Sequence, residues 1–178
     1  MSVDLSARRN GVIWLLLSAL VIALDQLTKA IALNVLQPYI PQPVIPGLLN
    51  WTLAFNTGAA FSFLADQEGW QRWLFTGLAS VVSIVLIRWL MRLPRADWRT
   101  CLPLALVIGG ALGNLIDRLR AGHVTDFIQV YYGEWAFPSF NVADSAISVG
   151  AVVLVWYGLF ASKKTSIQET SPNRFWRG

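Results

Sequence analysis

Four stretches of the sequence reach the length at which an apolar helix crosses a bilayer. That length is about 20 residues, each rising about 1.5 Å, against a hydrocarbon core of about 30 Å. The first stretch runs from Gly11 to about Leu33, and the second from about Trp70 to Leu93 with an uncharged core between Trp73 and Ile87. The third runs from Cys101 to about Leu119, and the fourth from about Val142 to Ala161. Composition agrees: 55% of the 178 residues are hydrophobic and 13% are charged, against about 25% charged in an ordinary soluble domain. A soluble chain of this size would have too few charges to cover so much apolar surface. Disorder, collagen, a coiled coil and a small disulfide scaffold are excluded on the same grounds. The single cysteine, Cys101, allows no internal disulfide, and with the single histidine, His123, it makes a poor metal set. The net charge of +4 does not point to nucleic acid, because the basic residues form no single stripe. The sequence therefore predicts an α-helical integral membrane protein, with one four-helix membrane domain over residues 1–164. Residues 165–178 read as a disordered cytoplasmic tail.

The first span also has some features of a signal peptide, with Arg8 and Arg9 ahead of it and Ala30-Ile31-Ala32 as a small-x-small site. Its apolar run is long for that role, and Asp25 and Lys29 interrupt the approach to the site, so a retained helix is the better reading. Lysine and arginine placement then sets direction. Residues 1–10 carry two, 88–100 carry four and 162–178 carry four, whereas connections 34–72 and 118–141 carry one and two. Both termini and the 94–100 loop are expected in the cytoplasm, with the two long connections outside. Trp70 and Trp73 fit an outer aromatic belt, and Trp89 and Trp98 an inner one.

The outer connections carry strand signals. Leu49, Trp51, Leu53 and Phe55 alternate with Asn50, Thr52, Ala54 and Asn56, the period of a strand with one buried face. Pro38, Pro41, Pro43 and Pro46 keep the approach non-helical. Phe127–Tyr132 and Trp135–Phe140 flank Gly133-Glu134 as a hairpin. A small β platform on the outer membrane surface is expected.

Ionisable residues inside spans are costly and are functional candidates by default. Here they gather near the outer ends of the spans. Asp25, Thr28 and Lys29 lie at i, i+3, i+4 on the first; Asn114, Asp117 and Arg118 repeat that spacing on the third. Asn141, Asp144, Ser145 and Ser148 share one face at the start of the fourth, while Asn56 and Asp126 come from the outer connections. Several have ordinary readings. Asp25 with Lys29 is a self-satisfying ion pair, and Asp117 beside Arg118 reads as another, although Arg118 keeps donors to spare. Gly109-x-x-x-Gly113, with Gly110, is a close helix contact, and Asn56-Thr57-Gly58 is a turn. His123 and Glu134 read as surface loop residues. Asp126 and Asp144 have no cation three or four residues away. Two such carboxyls at one level can share a proton, giving one acid and one base, which suits attack of water on an amide. Proton carriage by a small transporter uses the same two acids and is the alternative from residues alone. Transporter sites, however, usually lie near the midplane between structural repeats, and no repeat is visible here.

Five segments in order carry a resemblance: Asp25-Gln26-x-x-Lys29, Asn56-Thr57-Gly58-Ala59-Ala60-Phe61-Ser62, Gly109 to Arg118, Val124-Thr125-Asp126-Phe127 and Phe137 to Asp144. Together they resemble the successive motifs of bacterial lipoprotein signal peptidase (signal peptidase II) over about residues 11–161. Thr125 departs mildly, where the family more often has an apolar β-branched residue. The resemblance implies four transmembrane helices, a periplasmic β cradle and a short surface helix at Ala60 to Gln67 that can act as a lid. It implies an aspartic peptidase of the inner membrane that removes signal peptides from diacylglyceryl-modified prolipoproteins, cutting before the lipidated cysteine. By resemblance Asp126 and Asp144 are catalytic, Asn56, Asn114, Arg118 and Asn141 bind substrate, and Asp25, Lys29 and Asp117 are structural supports. No metal or organic cofactor is implied. The partners expected are the lipidated substrates and membrane lipids, with no nucleic acid, for a monomer.

Overall fold

The computed structural model of the protein describes residues 10–58 and 70–165. The expected surface helix at Ala60 to Gln67 and the tail after Thr165 lie outside them. A 3-10 turn, Gly11–Trp14, leads into α1 (Leu15–Val35). Strands β1 (Gln42–Ile45) and β2 (Leu49–Asn56) follow, then α2 (Trp70–Arg92), α3 (Trp98–Ala121), β3 (Val124–Tyr132), β4 (Trp135–Ala136) and α4 (Val142–Thr165). All four helices are long and apolar enough to cross a membrane.

Helix α1 is apolar outside and largely small or polar inside. On α1 the buried residues are Ser18, Val21, Asp25, Lys29 and Ala32, spaced three or four apart on one face. Leu16, Leu20, Leu24, Leu27 and Ile31 are exposed. In water such a surface would aggregate; in lipid it is solvated. Helix α3 is the central element. The glycine cluster predicted as a close contact is one, and it serves two neighbours. A Cβ at Gly109 would stand 2.7 Å from that of Val21 on α1, one at Gly110 would strike the Ala143 carbonyl on α4, and one at Gly113 would stand 2.7 Å from Asp25 Oδ2. Leu90, Cys101, Leu104 and Ile108 form the apolar core at the other end.

Helix direction alternates. Gly11 N–H donates to the Leu93 carbonyl at 2.8 Å and Trp14 Nε1–H to that of Arg95 at 3.1 Å, so the start of α1 meets the end of α2. Trp98 stacks edge-on to Tyr157 at 5.6 Å, joining the start of α3 to the end of α4. Arg72, at the start of α2, donates to the carbonyls of Arg118 (2.9 Å) and Leu119 (3.1 Å) at the opposite end.

The sheet caps that opposite end as one antiparallel layer in the order β1-β2-β3-β4. Strand β2 has the predicted span, but its predicted apolar face is fully buried only at Leu53. Asn50 and Thr52 are buried, whereas Trp51 is 37% exposed. A register irregularity between Trp51 and Ala54 breaks the alternation. Gln129 Oε1 accepts from both, from Thr52 Oγ1 at 2.9 Å and from Asn50 Nδ2 at 3.4 Å, while Asn50 Oδ1 has no partner among the described residues. The second strand of the predicted hairpin is also shorter than expected. It is regular only at Trp135–Ala136 and rejoins β3 as a bridge between Ile128 and Phe140, because Pro138 has no N–H to pair. His123 is not a solvated loop residue: it is partly buried, with its ring 4.6 Å from that of Phe55. Glu134 is exposed at the hairpin tip.

Candidate active site

Helix α4 starts where α1, α3 and β3 meet, and its first turn is held unusually well. Asn141 precedes it as the cap. Asn141 Oδ1 accepts the Asp144 N–H at 2.9 Å, and Asp144 Oδ2 accepts the Asn141 N–H at 3.3 Å. This reciprocal box satisfies donors that a helix start otherwise leaves orphaned. A third, the Ala143 N–H, donates to Asp25 Oδ1 at 3.0 Å. The same first turn thereby fixes the Asp144 carboxylate.

Asn141 is fully buried, and its Nδ2 reaches across to β3. It donates to Asp126 Oδ1 at 2.6 Å, with longer contacts to Asn114 Oδ1 at 3.2 Å and the Thr125 carbonyl at 3.3 Å. Asn114, on α3, donates from Nδ2 to Asp144 Oδ1 at 2.7 Å. Its Oδ1 accepts from Lys29 Nζ at 2.9 Å. Asp126 and Asp144 are thus joined by one asparagine, and neither enters an ion pair among the described residues.

Burial pushes the Asp126 carboxyl up to about 7, and the charge of Asp144 adds to the rise. Hydrogen bonds from Asn56 and Asn141 and the Lys29 charge act in the opposite direction without cancelling it. Two buried carboxyls joined through one asparagine do not both ionise readily, so one proton is shared by the pair. An acid and a base are then presented together.

Asp25, Lys29 and Asp117 lie beside this cluster, and their pairing differs in one respect from the expected one. Lys29 pairs with Asp25 at 2.8 Å as predicted, but also with Asp117 at 2.9 Å. Asp117 does not neutralise Arg118, because adjacent residues on a helix point in different directions. Arg118 instead lies over the Phe75 ring at 5.6 Å. The one hydrogen bond of its guanidinium among the described residues is a long 3.5 Å contact to the Asn114 carbonyl, and its Nε has no partner there. Asn56 is exposed at the end of β2; its Oδ1 accepts the Gly58 N–H at 2.9 Å in the predicted turn, with Gly58 at φ +91°.

Two recesses open at this end of the helices, one of them beside Asp144. A groove of about 600 Å³ runs from Asn56 past Phe140 and Asp144 along the Ser145, Ser148 and Val149 face of α4. An apolar recess of about 240 Å³ lies between the end of α1 and the sheet, closed by Trp51 and Phe127. Sequence reasoning gave no role to Gln26, whose Nε2 donates to Asp117 Oδ1 at 2.8 Å and to the Gly113 carbonyl at 3.3 Å. It also overlooked Phe75 beneath Arg118, and Arg72, which caps the end of α3. Gln26 lies one position from Asp25 and three from Lys29, and that spacing was its available signal.

Comparisons with known proteins converge on this architecture. The family described as Signal peptidase (SPase) II matches residues 17–160. A lipoprotein signal peptidase of Xanthomonas campestris pv. campestris (strain 8004) is 58% identical over 156 residues, covering 88% of this chain and 93% of the relative. One from Xylella fastidiosa (strain M12) is 58% identical over 154 residues, covering 86% and 92%. A solved bacterial membrane enzyme, 29% identical, superposes with a TM-score of 0.74 over 91% of this chain and 94% of its own. With the family pattern spanning all four helices and the sheet, the chain belongs to the signal peptidase II family and is a multi-pass membrane peptidase.

Proposed function

We propose that the protein is an aspartic endopeptidase that removes the signal peptide from diacylglyceryl-modified prolipoproteins, cutting just before the lipidated cysteine. Asp126 and Asp144 are the catalytic pair. The observation that carries this reading is the Asn141 bridge, which donates to Asp126 from its side chain while capping with Asp144. Asp126, with its carboxyl near 7, holds the proton. Asp144 takes a proton from water as the water oxygen attacks the scissile carbonyl carbon, and Asp126 protonates the carbonyl oxygen. The tetrahedral intermediate then collapses: the C–N bond breaks, the leaving nitrogen takes the proton held by Asp144, and the carbonyl re-forms as one hydroxyl returns its proton to Asp126. Asn56, Asn114, Arg118 and Asn141 hold the extended backbone, with the unused donors of Arg118 suited to carbonyl oxygens. Asp25, Lys29 and Asp117 support the site.

The setting is the bacterial inner membrane, with both termini cytoplasmic and the acids at the periplasmic face. A diacylated cysteine is held at that level by its acyl chains, and hydrolytic water reaches it there. The groove along α4 opens beside Asp144 and suits lateral entry of an apolar signal peptide. Membrane lipids surround a monomer.

The test is incubation of the purified protein with a diacylated prolipoprotein peptide and with its unacylated counterpart. Release of the signal peptide from the first alone is expected. Binding without release would make the protein a carrier, and proton flux in liposomes without release would make it a transporter.

A further inference from the structure

Each acid of the proposed pair follows a residue whose backbone N–H is held by another carboxylate. Ala143 N–H, immediately before Asp144, donates to Asp25 Oδ1 at 3.0 Å. Thr125 N–H, immediately before Asp126, donates to Asp117 Oδ2 at 3.1 Å. The two holding carboxylates lie on different helices, and both are paired with Lys29 Nζ, at 2.8 Å and 2.9 Å. The third donor of that ammonium goes to Asn114 Oδ1 at 2.9 Å. Lys29 is 3% exposed, so all three of its N–H groups are committed and none faces substrate.

We infer that Lys29 is a positioning residue: one ammonium that fixes the placement of Asp126 relative to Asp144, by joining through Asp117 and Asp25 the backbone amides just ahead of them. The inference rests on the reading of Asp126 and Asp144 as the catalytic pair. Neutralising a charge on α1 needs only the local Asp25–Lys29 pair. The second carboxylate, from α3, is what local neutralisation leaves unexplained. Two carboxylates on one ammonium leave a net negative charge in a buried place, which is costly without further donors. The donors supplied are the amides of Ala143 and Thr125, with Gln26 Nε2 on Asp117. The residual charge is therefore held by the two backbone segments that carry the acids. Lys29 also orients Asn114: with the amide oxygen on the ammonium, its Nδ2 is left for Asp144.

The test is a double-mutant cycle on the full chain in lipid bicelles, with a diacylated prolipoprotein peptide as substrate. Asp25→Asn and Asp117→Asn each keep an oxygen for the backbone N–H and leave Lys29 one carboxylate, so each retains an ion pair that supports folding. Each is expected to lower kcat about tenfold while KM stays within about threefold. Because both act through one ammonium, the double variant, whose Lys29 has no carboxylate left and whose kcat is therefore taken per folded protein, should lose about as much as either single one, far less than the product. Losses that multiply, losses that appear in KM, or an unchanged kcat would overturn the inference. Asp126→Asn and Asp144→Asn run alongside. If either keeps near-normal turnover, the catalytic assignment fails and takes the inference with it. If both are inactive and the cycle multiplies, the inference alone fails.

Discussion

Asn141 and Asp144 hold each other at the start of α4, the side-chain oxygen of the first on the amide of the second at 2.9 Å and the carboxylate of the second on the amide of the first at 3.3 Å. A capping box ordinarily stabilises a helix end. Here it also fixes the Asp144 carboxylate, one of the pair proposed as catalytic. The asparagine amide nitrogen remains free for Asp126, so the start of a helix and the register of a strand are joined through one side chain.

Serine at position 141 separates these two roles. A hydroxyl caps a helix nearly as well as an amide, so Asn141→Ser should keep most of the helix-end stability. The serine Oγ, one bond short of the amide nitrogen, does not reach Asp126 while it caps Asp144. We expect a melting temperature within a few degrees of wild type and a kcat lowered at least tenfold. Loss of stability with normal turnover in the surviving folded protein would assign Asn141 to capping alone.

Arg118 is the residue whose role turned most on the structure. Its neighbour Asp117 is taken by Lys29, and its guanidinium lies on Phe75. Arg118→Lys keeps the charge but loses the planar fork. One charge-assisted hydrogen bond contributes about 1.5–3 kcal/mol. Cleavage of the lipidated peptide should therefore fall at least tenfold in kcat/KM with little change in melting temperature. Normal cleavage by the lysine variant would return Arg118 to a packing role.

The raised Asp126 carboxyl has a pH signature. Its folded value of about 7 lies above the ordinary aspartate value of about 3.9, so the folded state binds the proton more tightly. Stability is fully present below about pH 4 and is lost as pH rises through about 7. Asparagine at 126 does not titrate, so the melting temperature of Asp126→Asn relative to wild type should climb between pH 5 and pH 8. The full effect is on the order of 4 kcal/mol. A constant difference across that range would place the carboxyl in the ordinary range. Turnover by the wild type should fall above about pH 7, as the acid is lost.

Much of this architecture was legible because membranes punish exceptions. Four apolar runs became four helices with boundaries shifted by only a few residues, and the i, i+4 spacing of Asp25 and Lys29 gave a real ion pair. The convergence of Asn114, Asp126, Asn141 and Asp144 followed from their common depth. Two features were not legible for physical reasons. The buried face of β2 depends on an irregularity after Trp51 and on Gln129 from a distant strand, neither of which leaves a local pattern. Asp117 chose Lys29 over its neighbour Arg118 because α1 and α3 pack through glycines, a contact that sequence adjacency hides.

Membrane orientation is open to direct measurement. In a Cys101→Ala background, single cysteines at Gln42 and Glu134, both exposed on the sheet, should react with an impermeant thiol reagent added to spheroplasts. A cysteine at Asp97, in the connection between α2 and α3, should react only after permeabilisation. Reversed labelling would put the acids on the cytoplasmic side.

The central claim is tested most directly by single-turnover cleavage of a diacylated prolipoprotein peptide by Asp126→Asn and Asp144→Asn, with peptide binding measured on the same preparations. Asparagine keeps the shape and the contact with Asn141 but cannot exchange a proton with water. Each variant should bind the peptide and cleave it at least about 100-fold more slowly than wild type. Near-normal cleavage by either folded variant would contradict the account.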